Sequence, residues 1–435
     1  MGKTTKIAVI GAGISGLSAA NLLHEQGFTV EVFEGKEVLG GLISCSNEDG
    51  NLFHRVGGHV FNSKDAAVHD WFWSKFNKED EFIKASRKAS IYFDNSFIEY
   101  PIELHLSSLP SSIATQVINE LIAICNQNEQ SINPEVLSFG DFLIYNFGQT
   151  LCDIYFLKYN SKIWNRDLFN IPLGWLGGKL PMAKPKDILA KNILKTSDDM
   201  VHNSFYYPIS GGSQFIADRL QAPLNVIHEH VTAITYTGNG FTVNHKEDVS
   251  YTYIIFAGNI LDLPSIIDEE TKKALGLEFL DVENFDDLAF NGTSNLLCEC
   301  DENDYSWIYL PELDTRFHRI IMTGNFSPNN NSTSLAKNRT TCTVEVSGFC
   351  DRVDMENSIS KLPFNLKPIA YNYCEKSYVI HNHRTEAIVS RITSKLASKG
   401  IYCCGRFAEW QYYNMDTAIS SAMRLVSQIS SCGAA

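Results

Sequence analysis

No run of eighteen uncharged apolar residues occurs in the chain, so a membrane-spanning helix is not expected. The eleven cysteines are scattered; Cys298-Glu299-Cys300 and Cys403-Cys404 are the close pairs, and neither has a partner pair at zinc-site spacing. No metal is expected, and free thiols in a reducing cytoplasm are. Positive charge is also scarce. The 36 Lys and Arg stand against 50 Asp and Glu, a formal net charge of -14. General binding to nucleic acid or to anionic membranes is thereby disfavoured, and any local gathering of Arg or Lys becomes informative. The opening Met-Gly-Lys-Thr-Thr-Lys runs straight into an apolar strand and lacks the apolar core of a signal peptide, which predicts a cytoplasmic location. The sequons at Asn291, Asn331 and Asn338 are then chance matches. What remains is a globular composition, 44% hydrophobic and 20% charged. At 435 residues it predicts two or three domains rather than one.

The N-terminus carries the sharpest local signal. Residues 6–10 are an apolar run suited to a buried parallel strand, and residues 14–26 place Leu17, Ala20, Leu22 and Leu23 in helical spacing before Gly27. A second β-rich run, 29–33, closes on Glu34. Between strand and helix stands Gly11-Ala12-Gly13-Ile14-Ser15-Gly16. In such a turn Gly11 permits the tight bend, Gly13 lets the backbone approach a pyrophosphate, and Gly16 lets helix and strand pack closely. The helix start, at Ile14 and Ser15, supplies free N–H groups for the phosphates. Glu34, about twenty residues on, can accept both ribose hydroxyls and would repel a 2′-phosphate. A dinucleotide site is expected. Two further features argue for FAD over NAD: Gly40-Gly41 just beyond the acid, and Cys404-Gly405-Arg406 ending a strand before a loop and helix.

Helical patches are expected over 113–125, 139–146, 151–158 and 187–194, and strands over 224–227, 231–236, 241–244 and 253–256. Further strands are expected over 295–300, 305–309, 319–323, 342–347 and 400–404, with a last helix over 416–429. The polar 327–340 segment reads as an exposed loop. This order predicts an α/β protein: an FAD-binding Rossmann-like domain interrupted by a helical domain and an antiparallel β-sheet domain. The FAD-binding domain takes 1–87, 212–258 and 387–435. The helical substrate domain takes 105–195, and the sheet domain takes strands in 88–104 and 196–211 and the whole of 259–386.

Three segments carry a more specific likeness: Val56-Gly57-Gly58-His59-Val60-Phe61, Tyr159-Asn160-Ser161-Lys162-Ile163-Trp164, and Gly405-Arg406-Phe407-Ala408-Glu409-Trp410-Gln411-Tyr412-Tyr413. On these the sequence resembles the UDP-galactopyranose mutase family over nearly its whole length. The resemblance implies a ring contraction of a UDP-sugar without net redox change, through an adduct between the sugar and N5 of reduced FAD, in cell-surface glycan synthesis. It also implies a reductant such as NAD(P)H and a possible homodimer. Within it, Gly58 and His59 match residues beside the flavin. Tyr159 and Trp164 match an aromatic pair at the nucleotide, with Tyr159 stacking on uracil. Arg319 matches a fixed pyrophosphate arginine, and Arg406, Asn414, Met415 and Asp416 match flavin neighbours. Tyr412 matches a donor to the sugar pyrophosphate.

Two positions depart from the family's pattern. Lys179 stands where the family's mobile second arginine falls, keeping the charge and losing the bidentate fork. Asn414 stands where bacterial members have Asp. A rival reading, an amine-oxidase or protoporphyrinogen-oxidase-like oxidoreductase, would want an apolar tunnel and no pyrophosphate clamp.

Overall fold

The computed structural model describes residues 5–126, 137–173, 184–195, 204–283 and 285–433. Its N-terminal unit follows from the sequence pattern. In β1 (Lys6–Ile10), Ile7, Ala8 and Val9 are fully buried, which demands cover on both faces and a parallel setting. Gly13 opens α1 (Ile14–Glu25), which buries Leu17, Ala20 and Leu23. Gly27, at φ +85, turns the chain into β2 (Thr29–Glu34). β1 pairs in parallel with β2 on one side and with Tyr253–Phe256 on the other. Asn225–His228 and Ile401–Cys403 form the edges of this five-stranded parallel sheet. Distant parts of the chain thus share one sheet. The last helix, Met415–Gly433, packs on α1 through Ile419, Ala422 and Val426.

The second sheet has seven strands, in the order Lys367–Ile380, Ala289–Asp301, Arg339–Ser347, Phe317–Ile321, Trp307–Tyr309, Ala89–Phe93 and Ser96–Glu99. Its pairings are antiparallel except that of Trp307–Tyr309 with Ala89–Phe93, which is parallel. The helical unit includes Ser111–Asn126, Phe139–Phe147, Leu157–Trp164 and Pro185–Leu194, and it shares a core with the face of the sheet carrying Trp307 and Tyr309. The expected α/β class, with a Rossmann-like domain, helices and a largely antiparallel sheet, is what the chain adopts. No helix among the described residues is long and apolar enough to cross a membrane. Ten of the cysteines, from Cys45 to Cys404, are free thiols.

Four local expectations differ from the structure. The helix expected over 151–158 is continuous to Trp164 but carries a π-helical turn at Cys152–Phe156. Ser204–Pro208, expected in the large sheet, pairs instead with Phe82–Ser86 in a separate ribbon. The 327–340 segment is not simply exposed. Ser327 and Asn330 are fully buried there because their side chains satisfy neighbouring groups: Ser327 donates to the Ile209 carbonyl at 2.6 Å, and Asn330 donates to the Thr323 carbonyl at 2.7 Å and the Tyr207 hydroxyl at 2.9 Å. Finally, Lys367–Ile380, for which no strand was expected, is a long strand at the edge of the large sheet.

Candidate active site

The glycine turn forms a cradle in which Gly11 and Gly16 each have a steric reason. Gly11 sits at φ +101, and a Cβ there would lie 3.0 Å from the Ala257 carbonyl oxygen. A Cβ on Gly16 would lie 1.9 Å from the Gly11 carbonyl oxygen, so helix and turn touch only because Gly16 has no side chain. Gly13 is different: nothing lies within 4 Å of a Cβ built there. That open face is where a pyrophosphate could approach the start of α1. Gly40 donates its N–H to the Ala12 carbonyl at 2.9 Å, so the second glycine pair is bound directly to the turn. At Gly41 a Cβ would come within 3.3 Å of Gly13 Cα. Glu34 accepts from Ala12 N–H at 2.9 Å through one oxygen and from Lys36 N–H at 3.0 Å through the other. Its carboxylate is therefore held at the mouth of the turn. Ser15 and Gly405 close the far side, a Cβ on Gly405 falling 2.4 Å from Ser15 Oγ.

Beyond Gly405 lies a cavity of about 240 Å³. Two of its lining residues, Arg319 and Tyr309, belong to a row in cross-strand register on the large sheet. Asn372 pairs with Asn295, Asn295 with Glu345, Glu345 with Arg319, and Arg319 with Tyr309. Directly opposed residues share one face, so five strands present a polar line where an apolar one would normally pack. That line holds the Gly-Gly-His loop. Asn372 donates to the Arg55 carbonyl at 2.7 Å, and Asn295 accepts from Gly57 N–H at 3.3 Å. The loop is thus seated on the sheet by backbone contacts. His59 lines the cavity with its Nε2 sealed from solvent and unpartnered. Burial, assisted by the Arg406 and Arg319 charges, pushes its pKa down to about 4, against the opposing pull of the Val56 hydrogen bond and Glu345. The ring is neutral at neutral pH.

Three guanidinium groups line the same cavity, at Arg87, Arg319 and Arg406. A buried arginine is costly without an anion, and for Arg319 the fold supplies one internally. Its Nε donates to the fully buried Glu345, and its Nη2 donates to the Tyr378 hydroxyl at 3.0 Å. Burial raises the Glu345 pKa, but Arg319 and His318 overrule it and hold it at about 2. Arg406 donates to the Ser377 carbonyl at 2.8 Å and, through Nε, to the Tyr413 carbonyl at 3.0 Å; it lies 5.2 Å from the Tyr412 ring centre. Tyr412 is shifted upward by burial and by Tyr378, so its phenol stays protonated. Asn414, Met415 and Asp416, at the start of the last helix, complete that wall.

Of the residues picked out by sequence, Gly58, His59, Arg319, Arg406, Tyr412, Asn414, Met415 and Asp416 line the cavity. The glycines of the turn, Ile14, Ser15, Glu34, Gly40, Gly41 and Gly405 belong to the adjoining cradle. Tyr159 and Trp164 are not in the wall. Tyr159 is stacked on Tyr155 at 5.3 Å and meets Tyr309 edge-on, while Trp164 stands edge-on behind Tyr378 and Tyr412. Both were read as direct nucleotide contacts, and both serve here as backing for the aromatic wall. Lys179 lies outside the described residues. Sequence reading missed Arg87, Trp307, Tyr309, Ser377 and Tyr378 as wall residues. For Arg87 the available signal was an arginine within the aromatic-rich stretch leading to residues 92–100.

Residues 9–76 match the family described as an NAD(P)-binding Rossmann-like domain. A probable UDP-galactopyranose mutase of Klebsiella pneumoniae is 22% identical over 421 residues, covering 96% of this chain and 93% of that protein. A dTDP-fucopyranose mutase of Escherichia coli is 27% identical over 177 residues, 38% of this chain and less than half (44%) of that protein. Among solved structures, reduced UDP-galactopyranose mutase superposes with a TM-score of 0.84 at 21% identity, covering 99% of this chain and 94% of that one. A putative protoporphyrinogen oxidase from Exiguobacterium shares the fold more loosely, with a TM-score of 0.72 at 14% identity over 98% of this chain and 99% of that one. Over nearly its whole length the chain is therefore similar to UDP-galactopyranose mutases and adopts the fold of the reduced enzyme.

Proposed function

We propose that the protein is an FAD-dependent UDP-sugar mutase that interconverts UDP-galactopyranose and UDP-galactofuranose. The carrying observation is the wall of the cavity beside the cradle, where three arginines, a neutral histidine and four aromatic hydroxyl or indole groups gather in a chain of net charge -14. A cationic, hydrogen-bonding wall suits a nucleoside diphosphate sugar. It does not suit an oxidase's apolar amine or terpenoid, which would want that wall lined by aliphatic side chains.

The residues present fit FAD. Gly13 leaves room for the pyrophosphate, Glu34 faces the turn as a ribose acceptor, and the last helix begins in the cavity wall at Met415. Bound and reduced, FAD supplies the nucleophile and the electron pair for covalent catalysis. The protein's own residues have separable tasks. His59, neutral and unpartnered at Nε2, offers one hydrogen bond next to the cofactor without adding charge. Tyr412, kept as a phenol, donates to the leaving diphosphate. Arg406 is fixed by two carbonyls and orients the Tyr412 ring. Arg319 and Lys179 are assigned to the diphosphate by resemblance, with Lys179 as the closing cation. The glycan role, a reduced pyridine nucleotide as electron donor and a homodimeric assembly belong to the same proposal.

The test is product analysis after mixing dithionite-reduced protein with UDP-galactofuranose, beside an oxidised control. Conversion to UDP-galactopyranose in the reduced sample alone supports the proposal. An FAD-loaded protein that converts nothing in either state refutes it for this sugar.

A further inference from the structure

Arg87 follows the Phe82–Ser86 strand, and its guanidinium reaches the cavity beside Tyr309. Its Nη2 donates to the Tyr309 hydroxyl at 2.5 Å, and the group lies 5.1 Å from the Trp307 ring centre and 5.6 Å from that of Tyr100. Its Nε is sealed from solvent with no acceptor. Among the described residues Arg87 pairs with no carboxylate.

A guanidinium has five N–H donors and stays charged, so enclosing it with a single acceptor is costly unless an anion completes the shell. The other two arginines of the wall are already committed. Arg319 is neutralised by Glu345, and Arg406 donates to the Ser377 and Tyr413 carbonyls. Arg87 also sits at the end of the polar row: it bonds Tyr309, which is in register with Arg319. An anion lying along that row would meet Arg87 with its charge uncancelled, held by aromatic faces in one orientation.

We propose that Arg87 binds the diphosphate of the nucleotide ligand and is its principal fixed cation, while Arg319, paired with Glu345, contributes geometry more than charge. The inference rests on the nucleotide-sugar reading above, which counts Arg87 in the cationic wall but gives it no task of its own.

The experiment is titration of UDP and of uridine into FAD-loaded wild type, Arg87→Met, Arg87→Gln and Arg87→Lys at two ionic strengths. Arg87→Gln keeps a donor for Tyr309 and serves if Arg87→Met fails to load flavin. The expected result is a loss of UDP affinity of roughly ten- to hundred-fold in Met and Gln, the range for a hydrogen bond to a charged group. Uridine affinity should be unchanged, the salt dependence of UDP binding should flatten, and Lys should restore both in part. Equal UDP affinity in wild type and Arg87→Gln overturns the inference. So does a parallel loss of UDP and uridine, which would make Arg87 a support for the aromatic wall. If wild type takes no UDP, the nucleotide reading falls, and inorganic pyrophosphate then decides Arg87 alone: equal pyrophosphate affinity in wild type and Arg87→Gln overturns the anion site as well.

Discussion

The cradle and the cavity adjoin at Gly405 and Arg406, yet they are built on opposite principles. The cradle is made of absences. Its glycines matter for the side chains they lack, and almost all of it comes from two short stretches, 11–16 and 34–41. The cavity is made of commitments. Two of its arginines are held by groups from strands far apart in sequence, Arg319 by Glu345 and Arg406 by the Ser377 carbonyl. One region can be damaged by adding a methyl group. The other is damaged by removing a partner.

The largest effect on that contrast is expected from Glu345→Gln. Removing one member of a buried ion pair costs about 3–5 kcal/mol of stability. The same change frees the Arg319 charge, so UDP should bind more tightly while the melting temperature falls. Both readouts moving down together would break the idea that Glu345 cancels Arg319. In the cradle, two single methyl groups should behave differently. Gly16→Ala forces an overlap with the Gly11 carbonyl and should destabilise the domain by about 3 kcal/mol, near the upper end for overpacking. Gly13→Ala meets nothing and should leave the stability of the flavin-free protein unchanged while sharply lowering flavin content, read by visible absorbance against urea melts. Equal melts for both variants would remove the distinction.

Protonation gives a smaller, graded test. His54, buried against Tyr207, is pushed down to about 3 by burial and by His59, and His381 to about 4 by burial. Groups whose folded pKa lies below the unfolded value of 6.5 favour the folded state only while neutral, so stability should fall as pH drops below 6.5. Glu345 acts later: its contribution is complete above 4.5 and is lost as pH falls towards about 2. Melting curves across pH should therefore show two descents, and His54→Asn should shallow the upper one alone. The smallest effect is expected at Tyr412→Phe, which removes one hydrogen bond worth about 0.5–1.5 kcal/mol and should slow turnover up to roughly ten-fold without altering flavin content.

The same contrast explains what could be read in advance. The cradle was legible because its chemistry is local: a glycine turn between a strand and a helix, with an acid after the next strand, states its purpose within about thirty residues. The five-stranded sheet followed from the same unit. The cavity was legible only where a resemblance pointed, at His59, Arg319, Arg406 and Tyr412. Arg87 sits between Ser86 and Lys88, and it faces inward beside the parallel pairing of Ala89–Phe93 with Trp307–Tyr309, a contact between segments some two hundred residues apart. Ser377 and Tyr378 were missed with their strand, because Lys367–Ile380 mixes Pro, Asn, Glu and Lys with its aromatics and is only half-buried along much of its length. Tyr159 and Trp164 were identified as site residues and stand one layer behind the wall. Residue identity told of an aromatic site, and only packing could tell which ring faces inward.

The last helix and the edge strand Ile401–Cys403 complete the cradle from the far end of the chain. During translation, domains assemble as their residues leave the ribosome. Here the strand and helix of residues 6–25 must wait for residues 401–433. The flavin's berth stays open on that side until those residues are made, which makes cofactor capture a late step in the folding of this domain.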